Sequence, residues 1–216
     1  MQKTGFSWSR FDKMPLIGIM RNIAPSDMNE ILPLFYSSGL TTIEITMNSP
    51  GFEEGISTAA KTFGDRLNIG AGTVCSEDDL EIALGLGAQF IVTPVVDARI
   101  IAACRQSKIP VFAGAYTPTE ILLAWNLGAD IVKLFPAVGN GIDYLKAVKG
   151  PFPQIKLLPT GGVSLDNCKD FMQAGATGLG IGSELFPRQL VRDKDWTGLV
   201  RHFVAFQRCL KDNERV

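Results

Sequence analysis

The sequence has 216 residues, of which 46% are hydrophobic and 20% are charged, and its formal net charge is -1 at pH 7. This length fits a single domain with a full core. The near-neutral net charge does not indicate the basic surface that binds nucleic acid. No apolar run approaches the roughly 20 residues that span a bilayer, and residues 1–12 lack the apolar core of a signal peptide. We therefore expect a cytoplasmic protein without nucleic-acid or membrane partners.

The cysteines and the single histidine limit the kinds of metal and catalytic sites that the chain can form. The four cysteines, at positions 75, 104, 168 and 209, form no Cys-x-x-Cys pair, and we predict that they are reduced, small apolar residues. His202 lies in a late amphipathic segment, where we expect it to pack or to face solvent. One histidine excludes a zinc site built on several histidines and a Ser-His-Asp triad with a nearby partner. Proton transfer is therefore expected from carboxylates, lysine, tyrosine or water.

Eight predicted strands alternate with eight predicted helices along the chain. At four places a helical stretch ends in a glycine, which supplies a left-handed C-cap, and a β-rich run follows within about two residues. The predicted strands cover residues 16–20, 42–46, 68–71, 90–93, 111–113, 131–134, 156–158 and 178–181. The predicted helices cover about residues 26–38, 51–63, 76–86, 98–107, 118–127, 142–148, 165–174 and 197–210.

This alternation predicts the α/β class and a single (β/α)8 TIM barrel domain, with residues 1–14 as an N-terminal extension and 211–216 as a tail. The alternative is a doubly wound open sheet, which usually has fewer strands and a glycine-rich nucleotide loop after its first strand. Here Gly18 is followed by Ile-Met-Arg-Asn. In a barrel, functional groups collect where the strands end at their C-terminal side.

The ends of the first four predicted strands supply candidate binding groups. Arg21 follows the first strand and is either a fork for a substrate carboxylate or phosphate or a surface arginine. Asn48 lies just beyond the second strand. Thr73 follows a glycine pair, which suits a ligand contact as easily as close strand packing. Pro94 ends the fourth strand.

Lys133 lies within an apolar strand, Ile-Val-Lys-Leu-Phe. Because a strand alternates its faces, Lys133 points the same way as Ile131 and Phe135. An ammonium held among apolar groups loses hydration, its pKa falls, and the neutral amine can attack a ketone to form a Schiff base. The alternative is a lysine with a buried stem whose head reaches water.

The same alternation of strand faces applies to Glu44. In Thr-Ile-Glu-Ile-Thr, residues 42–46, the isoleucines face one way, and packing them against the helices turns Glu44 into the barrel. A lysine nucleophile and a carboxylate base that face one cavity suit carbon–carbon bond chemistry. The alternative is a buried Glu–Lys ion pair that only stabilises the fold.

Two glycine-rich loops form a second candidate binding site. Thr160, Gly161 and Gly162 end the seventh predicted strand, and Gly182 and Ser183 end the eighth. Bare backbone N–H groups beside a helix start bind phosphate well, and barrels often place a phosphate site at these two loops. Either loop alone is weak evidence, but the two together predict phosphate binding.

The chain resembles the 2-keto-3-deoxy-6-phosphogluconate (KDPG) aldolase family over about residues 15–187. That family includes the 6-phosphogalactonate (KDPGal) and 4-hydroxy-2-oxoglutarate aldolases. The resemblance is carried by Ile43-Glu44-Ile45-Thr46, Gly70-Ala71-Gly72-Thr73-Val74, Val132-Lys133-Leu134-Phe135-Pro136-Ala137, Pro159-Thr160-Gly161-Gly162-Val163 and Gly180-Ile181-Gly182-Ser183. It implies a class I aldolase, a lyase, on a (β/α)8 barrel. The enzyme would be a homotrimer without metal or cofactor, and its partner a phosphorylated keto-acid substrate.

The resemblance also implies roles for individual residues. Lys133 would be the Schiff-base lysine and Glu44 the general acid/base. Thr73 would contact the pyruvate portion of the substrate, and Ser183 and the two glycines after the seventh strand would bind its phosphate.

Some positions depart from the family pattern and leave the substrate open. Gluconate-type members often carry an arginine where this chain has Asn48, which favours a galactonate substrate or a broad C4 preference. Val95 and Ala113 also differ from the usual residues of the pocket wall. Two other functions stay open: a phosphosugar epimerase or isomerase without an imine, and a non-catalytic barrel that binds a sugar phosphate.

Overall fold

The computed structural model describes residues 5–211. Its strands are β1 (Leu16–Met20), β2 (Thr42–Thr46), β3 (Asn68–Gly72), β4 (Phe90–Val92), β5 (Val111–Ala115), β6 (Ile131–Leu134), β7 (Leu157–Pro159) and β8 (Leu179–Ile181). They form one parallel sheet in the order β7-β6-β5-β4-β3-β2-β1-β8, and a parallel bridge between Thr160 and Gly180 joins its two edges. The predicted (β/α)8 barrel is therefore confirmed. Residues 1–4 and 212–216, which include most of the predicted tail, lie outside the described part.

The helices of the described chain are α1 (Trp8–Lys13), α2 (Pro25–Ser37), α3 (Phe52–Phe63), α4 (Glu77–Gly85), α5 (Ala98–Gln106), α6 (Pro118–Leu127), α7 (Gly141–Lys149), α8 (Cys168–Gln173), α9 (Arg188–Arg192) and α10 (Trp196–Lys211). Each predicted helix overlaps one of them, whereas α1 and α9 were not predicted because they are too short to show a helical period. Ser76 and Thr117 cap α4 and α6 through their side chains. Within residues 5–211, no helix is both long and apolar enough to cross a membrane.

Side-chain alternation separates two apolar layers. The outward residues of the strands, such as Ile43 and Ile45, pack beneath the helices. The inward residues near the N-terminal ends of the strands, including Phe90, Phe112 and Ile131, form a separate cluster inside the barrel. Lys133 and Glu44 therefore lie above an apolar floor, on the side where functional groups of barrels collect.

The N-terminal segment completes this floor. Phe6 packs edge-on against Phe90, with ring centroids 5.3 Å apart, and Phe11 lies 5.9 Å from Phe112. Trp8 adds a third ring against Phe112. Residues 6–11 of the stretch interpreted as an extension thus pack against the core, and they fill the end of the barrel opposite the predicted site.

We expect Phe11→Ala to lower the free energy of unfolding by about 3–5 kcal/mol, because a fully buried ring is removed from a packed interior. The Phe11 side chain is 1% exposed. Urea denaturation measures this change, and Leu123→Ala, at an exposed position of α6, is the control that should shift it by no more than about 0.5 kcal/mol. Equal effects of the two variants would contradict the role of the N-terminal segment as a core element.

The prediction that all four cysteines are reduced is wrong for two of them. Cys168 and Cys209 form a disulfide, because α8 packs against α10 and brings together residues that are 41 positions apart. Cys75 and Cys104 are free, and burial raises the pKa of the Cys104 thiol to about 12, with a further contribution from Asp130. Cysteine usage therefore no longer supports the cytoplasmic location, which stays a prediction.

The interpretation of His202 as a packing residue is confirmed. Its ring packs edge-on against Phe206 on α10, and its Nε2 lies 2.6 Å from the carbonyl oxygen of Glu184. His202 is not among the residues that line the cavity described below.

Candidate active site

Lys133 and Glu44 meet inside the barrel, as their parity predicted. The Lys133 Nζ lies 4.0 Å from the Glu44 Oε1, and the two side chains are 7% and 2% exposed. The Lys133 Nζ also lies 5.4 Å from the centroid of the Phe135 ring. The ammonium group is thus held within the barrel, and the alternative of a lysine head that reaches the surrounding water does not fit its burial.

One oxygen of the Glu44 carboxylate has no hydrogen-bond partner in the described part of the chain. Its Oε1 is buried and has no hydrogen-bond partner among the described residues, and 4.0 Å to Lys133 is longer than a hydrogen bond. A buried acceptor without a donor costs about 1–3 kcal/mol or more. A pair that served only stability would be expected to have this oxygen satisfied. The geometry therefore leaves one carboxylate oxygen available to the O–H group of a ligand or of a water bound next to Lys133.

Glycines create that room. Gly72 faces inward on β3, and a Cβ there would overlap the carboxylate of Glu44. Gly114 pairs in register with Lys133, and a Cβ there would overlap the Pro94 backbone. At Gly180 a Cβ would overlap the Thr160 hydroxyl. The lack of side chains at these inward positions leaves space above the aromatic floor. The side chains of Glu44 and Thr160 occupy part of it.

A cavity of about 910 Å³ opens from this space. Predicted site residues line it: Arg21, Lys133, Thr160, Gly161, Gly162, Gly182 and Ser183. The side chains of Arg188 and Arg192 on α9, which the sequence did not single out, add positive charge to the wall, against two acidic residues, Asp27 and Glu184. The lining therefore suits an anionic ligand.

Glu44 lies behind the cavity wall, beside Lys133, and the other predicted binding residues also lie outside the wall. Thr73 is next to it, because the Arg21 Nη2 donates a hydrogen bond to the Thr73 Oγ1 at 3.4 Å. Asn48 is exposed, and Pro94 packs its backbone against Gly114. Neither Asn48 nor Pro94 lines the cavity.

A hydrogen-bond network that the sequence did not predict fixes the loop that carries Arg21. The backbone N–H of Asn22 donates to the Ser49 Oγ at 2.9 Å, and the hydroxyls of Ser49 and Thr46 lie 2.7 Å apart. Asn22 has a positive φ of 55°, which a non-glycine residue adopts only at a modest energetic cost. Ser49 is 3% exposed, so this network ties the end of β1 to the end of β2.

The two glycine loops present unused donors. Gly161 and Gly162 both have φ near +80°. Within residues 5–211, no hydrogen bond uses the backbone N–H groups of Gly162, Val163 or Ser183, and all three residues line the cavity. Convergent N–H groups of this kind form a concave site for an anion.

Comparison with known proteins agrees with this geometry. A family model described as KDPG and KHG aldolase matches residues 9–202. The chain is 34% identical over 175 residues to the 2-dehydro-3-deoxy-6-phosphogalactonate aldolase of Escherichia coli K12, covering 81% of this chain and 85% of the relative. It is 31% identical over 194 residues to a 2-dehydro-3-deoxy-phosphogluconate aldolase of Haemophilus influenzae, covering 88% and 91%.

A solved structure gives the same result. The KDPG aldolase of Legionella pneumophila, with pyruvate captured at low pH as a covalent carbinolamine intermediate, superposes with a TM-score of 0.85 at 26% identity, covering 92% of this chain and 96% of that one. The resemblance found in the sequence motifs is confirmed, and the chain belongs to the KDPG and KHG aldolase family.

Proposed function

We propose that this protein is a class I aldolase that cleaves a 2-keto-3-deoxy-6-phospho-aldonate to pyruvate and glyceraldehyde 3-phosphate. Lys133 is the Schiff-base lysine, and Glu44 is the general acid/base. One observation carries the proposal: a buried lysine lies 4.0 Å from a buried carboxylate whose Oε1 has no hydrogen-bond partner in the described chain. The Legionella enzyme, in which pyruvate is held as a covalent carbinolamine, supports an imine mechanism.

The first step forms the imine. The neutral amine of Lys133 attacks the C2 ketone of the substrate, and the carbinolamine then loses water to give a protonated imine. Glu44 is positioned to accept the proton that the ammonium gives up. The positive imine nitrogen then withdraws electrons from the C3–C4 bond.

The second step breaks the carbon skeleton. Glu44, directly or through one water, removes the proton of the C4 hydroxyl, and C4 becomes the aldehyde carbon of glyceraldehyde 3-phosphate. The electron pair of the C3–C4 bond moves to C3, which leaves an enamine of pyruvate on Lys133. Protonation at C3 and addition of water at C2 release pyruvate and restore the amine, so the water lost in the first step is taken up again.

Two groups of residues around the cavity suit the two charged groups of the substrate. Arg21, with Thr73 bonded to it at 3.4 Å, is the proposed partner of the carboxylate as a bidentate donor. The loop at Gly161 and Gly162, with the unused N–H of Gly162, and the loop at Ser183 are the proposed phosphate site. Arg188 and Arg192 line the same cavity and favour the approach of a doubly charged anion.

A coupled assay for pyruvate with both C4-epimeric substrates tests the function and its finer specificity. We expect both epimers to be cleaved, with kcat/KM for the galactonate-type substrate at least equal to that for the gluconate type, because Asn48 replaces a possible arginine and lies outside the cavity wall. A strong preference for the gluconate-type substrate would contradict that specificity. Substrate turnover without pyruvate would instead indicate an epimerase, and binding without turnover a non-catalytic barrel.

A homotrimer is also proposed. Val95, Tyr116 and Val138 are exposed apolar residues that follow β4, β5 and β6, three neighbouring strands. Residues after adjacent parallel strands lie at the same edge of the barrel, so these side chains support an interface between copies there. Light scattering measures the assembly, and a monomeric mass would contradict the proposal.

A further inference from the structure

Asn167 lies between the glycine loop after β7 and the short helix α8. It occupies the N-cap position of α8, but its side chain makes no capping hydrogen bond to that helix. Both ends of its amide instead bond to the preceding loop: Nδ2 donates to the Gly162 carbonyl oxygen at 2.8 Å, and Oδ1 accepts from the Ser164 N–H at 2.8 Å. The amide therefore stabilises the loop and not the helix.

The loop needs such support because its backbone is unusual. Two consecutive residues, Gly161 and Gly162, have φ near +80°, and glycine gains conformational freedom when nothing holds it. Gly162 also packs closely, since a Cβ there would lie 2.9 Å from the Ala137 carbonyl oxygen. The two bonds from Asn167 are thus side-chain restraints on this conformation.

The bond to Gly162 also sets the direction of a donor. Because the peptide unit is planar and trans, the N–H of Val163 points opposite to the carbonyl of Gly162. Asn167 does not line the cavity, whereas Val163 does. Holding the carbonyl oxygen towards Asn167 keeps a repulsive oxygen away from an anion and leaves the Val163 N–H free to face it.

Asn167 is itself firmly anchored. The N–H of the next residue, Cys168, donates to the Ser164 carbonyl oxygen at 2.9 Å, and Cys168 is buried and joined to Cys209 on α10. The amide therefore extends from a fixed point of the barrel wall into the loop.

We propose that Asn167 is a positioning residue that holds the glycine loop after β7 in its phosphate-binding conformation. This inference rests on the proposed function, since it assigns to that loop the phosphate end of the substrate. It predicts that Asn167 acts on the affinity for the phosphoryl group and not on the chemistry at Lys133.

Two variants test the proposal. Asn167→Ala removes both hydrogen bonds, and Asn167→Asp keeps the acceptor for Ser164 but replaces the donor to Gly162 with a second oxygen. We expect each variant to raise KM for the phosphorylated substrate about ten- to hundredfold, the effect of one or two lost hydrogen bonds, with kcat changed less than about threefold. Asn29→Ala, an exposed site on α2, is the matched control and should leave KM unchanged.

The readout that separates positioning from general damage is an unphosphorylated substrate. Cleavage of 4-hydroxy-2-oxoglutarate and borohydride trapping of pyruvate should be the same in Asn167→Ala, Asn167→Asp and the wild type. Parallel losses with both substrates, or an unchanged KM for the phosphorylated one, would overturn the proposal. If the wild type traps no pyruvate, the proposed function fails, and calorimetry with inorganic phosphate then decides for Asn167. Weaker binding by both variants supports its role, and equal binding refutes it.

Discussion

Sodium borohydride added to the protein together with pyruvate will attach a stable pyruvyl group to Lys133, because reduction converts the imine into a secondary amine that cannot hydrolyse. Lys133 is the lysine whose Nζ faces both the cavity and a buried carboxylate at 4.0 Å. Peptide mass spectrometry locates the modified residue. An adduct on another lysine, or none, would remove the imine from the mechanism.

Lys149 makes this experiment specific, because it is a lysine with a lowered pKa that lies away from the cavity. Burial lowers the pKa of Lys149, yet its ammonium donates hydrogen bonds to the carbonyl oxygens of Pro153 and Ile155 at 3.0 and 2.9 Å. It also does not line the cavity. Labelling of Lys133 with Lys149 unmodified therefore shows that position in the site, and not a low pKa alone, determines reactivity.

Arginine variants of the two lysines test the same comparison by the rate of turnover. Lys133→Arg keeps a positive charge but removes the nucleophile, and we expect kcat to fall by about 10⁴-fold or more. Lys149→Arg keeps a donor for the two carbonyl groups and should retain kcat within about threefold. A Lys133→Arg enzyme that cleaves substrate at an appreciable rate would contradict covalent catalysis by this residue.

The placement of Lys133 and Glu44 followed from one rule of local geometry. A strand alternates its faces with a period of two, so the isoleucines of β2 turned Glu44 inward, and Lys133 was expected to share the face of Ile131. The barrel rule then placed both near the C-terminal ends of their strands. These predictions needed no knowledge of long-range contacts, which is why they agree with the structure.

The same rule fails where a strand ends. Asn48 and Pro94 follow their strands, and there the backbone no longer alternates, so sequence position does not determine whether a side chain reaches the cavity. Asn167 is a further case, because its bonds to Gly162 and Ser164 depend on two positive φ angles that a sequence only permits. The disulfide of Cys168 and the packing of Phe11 depend on contacts between distant segments, which periodicity does not report.

Glu44→Gln will keep imine formation with pyruvate but lose most turnover, by about 10²–10⁴-fold, the usual contribution of a general acid/base. The amide has nearly the shape of the carboxylate, so it should fit the space above Gly72, but it cannot accept a proton from the C4 hydroxyl. The substitution also leaves in place the Lys133 amine that forms the imine. Borohydride trapping should therefore persist while cleavage of the phosphorylated substrate is lost.

Exchange of the C3 protons of pyruvate with deuterated water, followed by NMR, isolates the step assigned to Glu44. Imine and enamine must interconvert by proton transfer at C3, so Glu44→Gln should trap pyruvate yet exchange these protons far more slowly than the wild type. Glu81→Gln, at an exposed position of α4, should exchange at the wild-type rate. Breaking this buried ion pair is expected to destabilise the fold by about 3–5 kcal/mol in either role, so exchange is measured under conditions in which the variant is folded. If Glu44 only balanced the charge of Lys133, its removal would leave exchange at the wild-type rate. The exchange rate of the folded variant therefore distinguishes a catalytic carboxylate from a structural one.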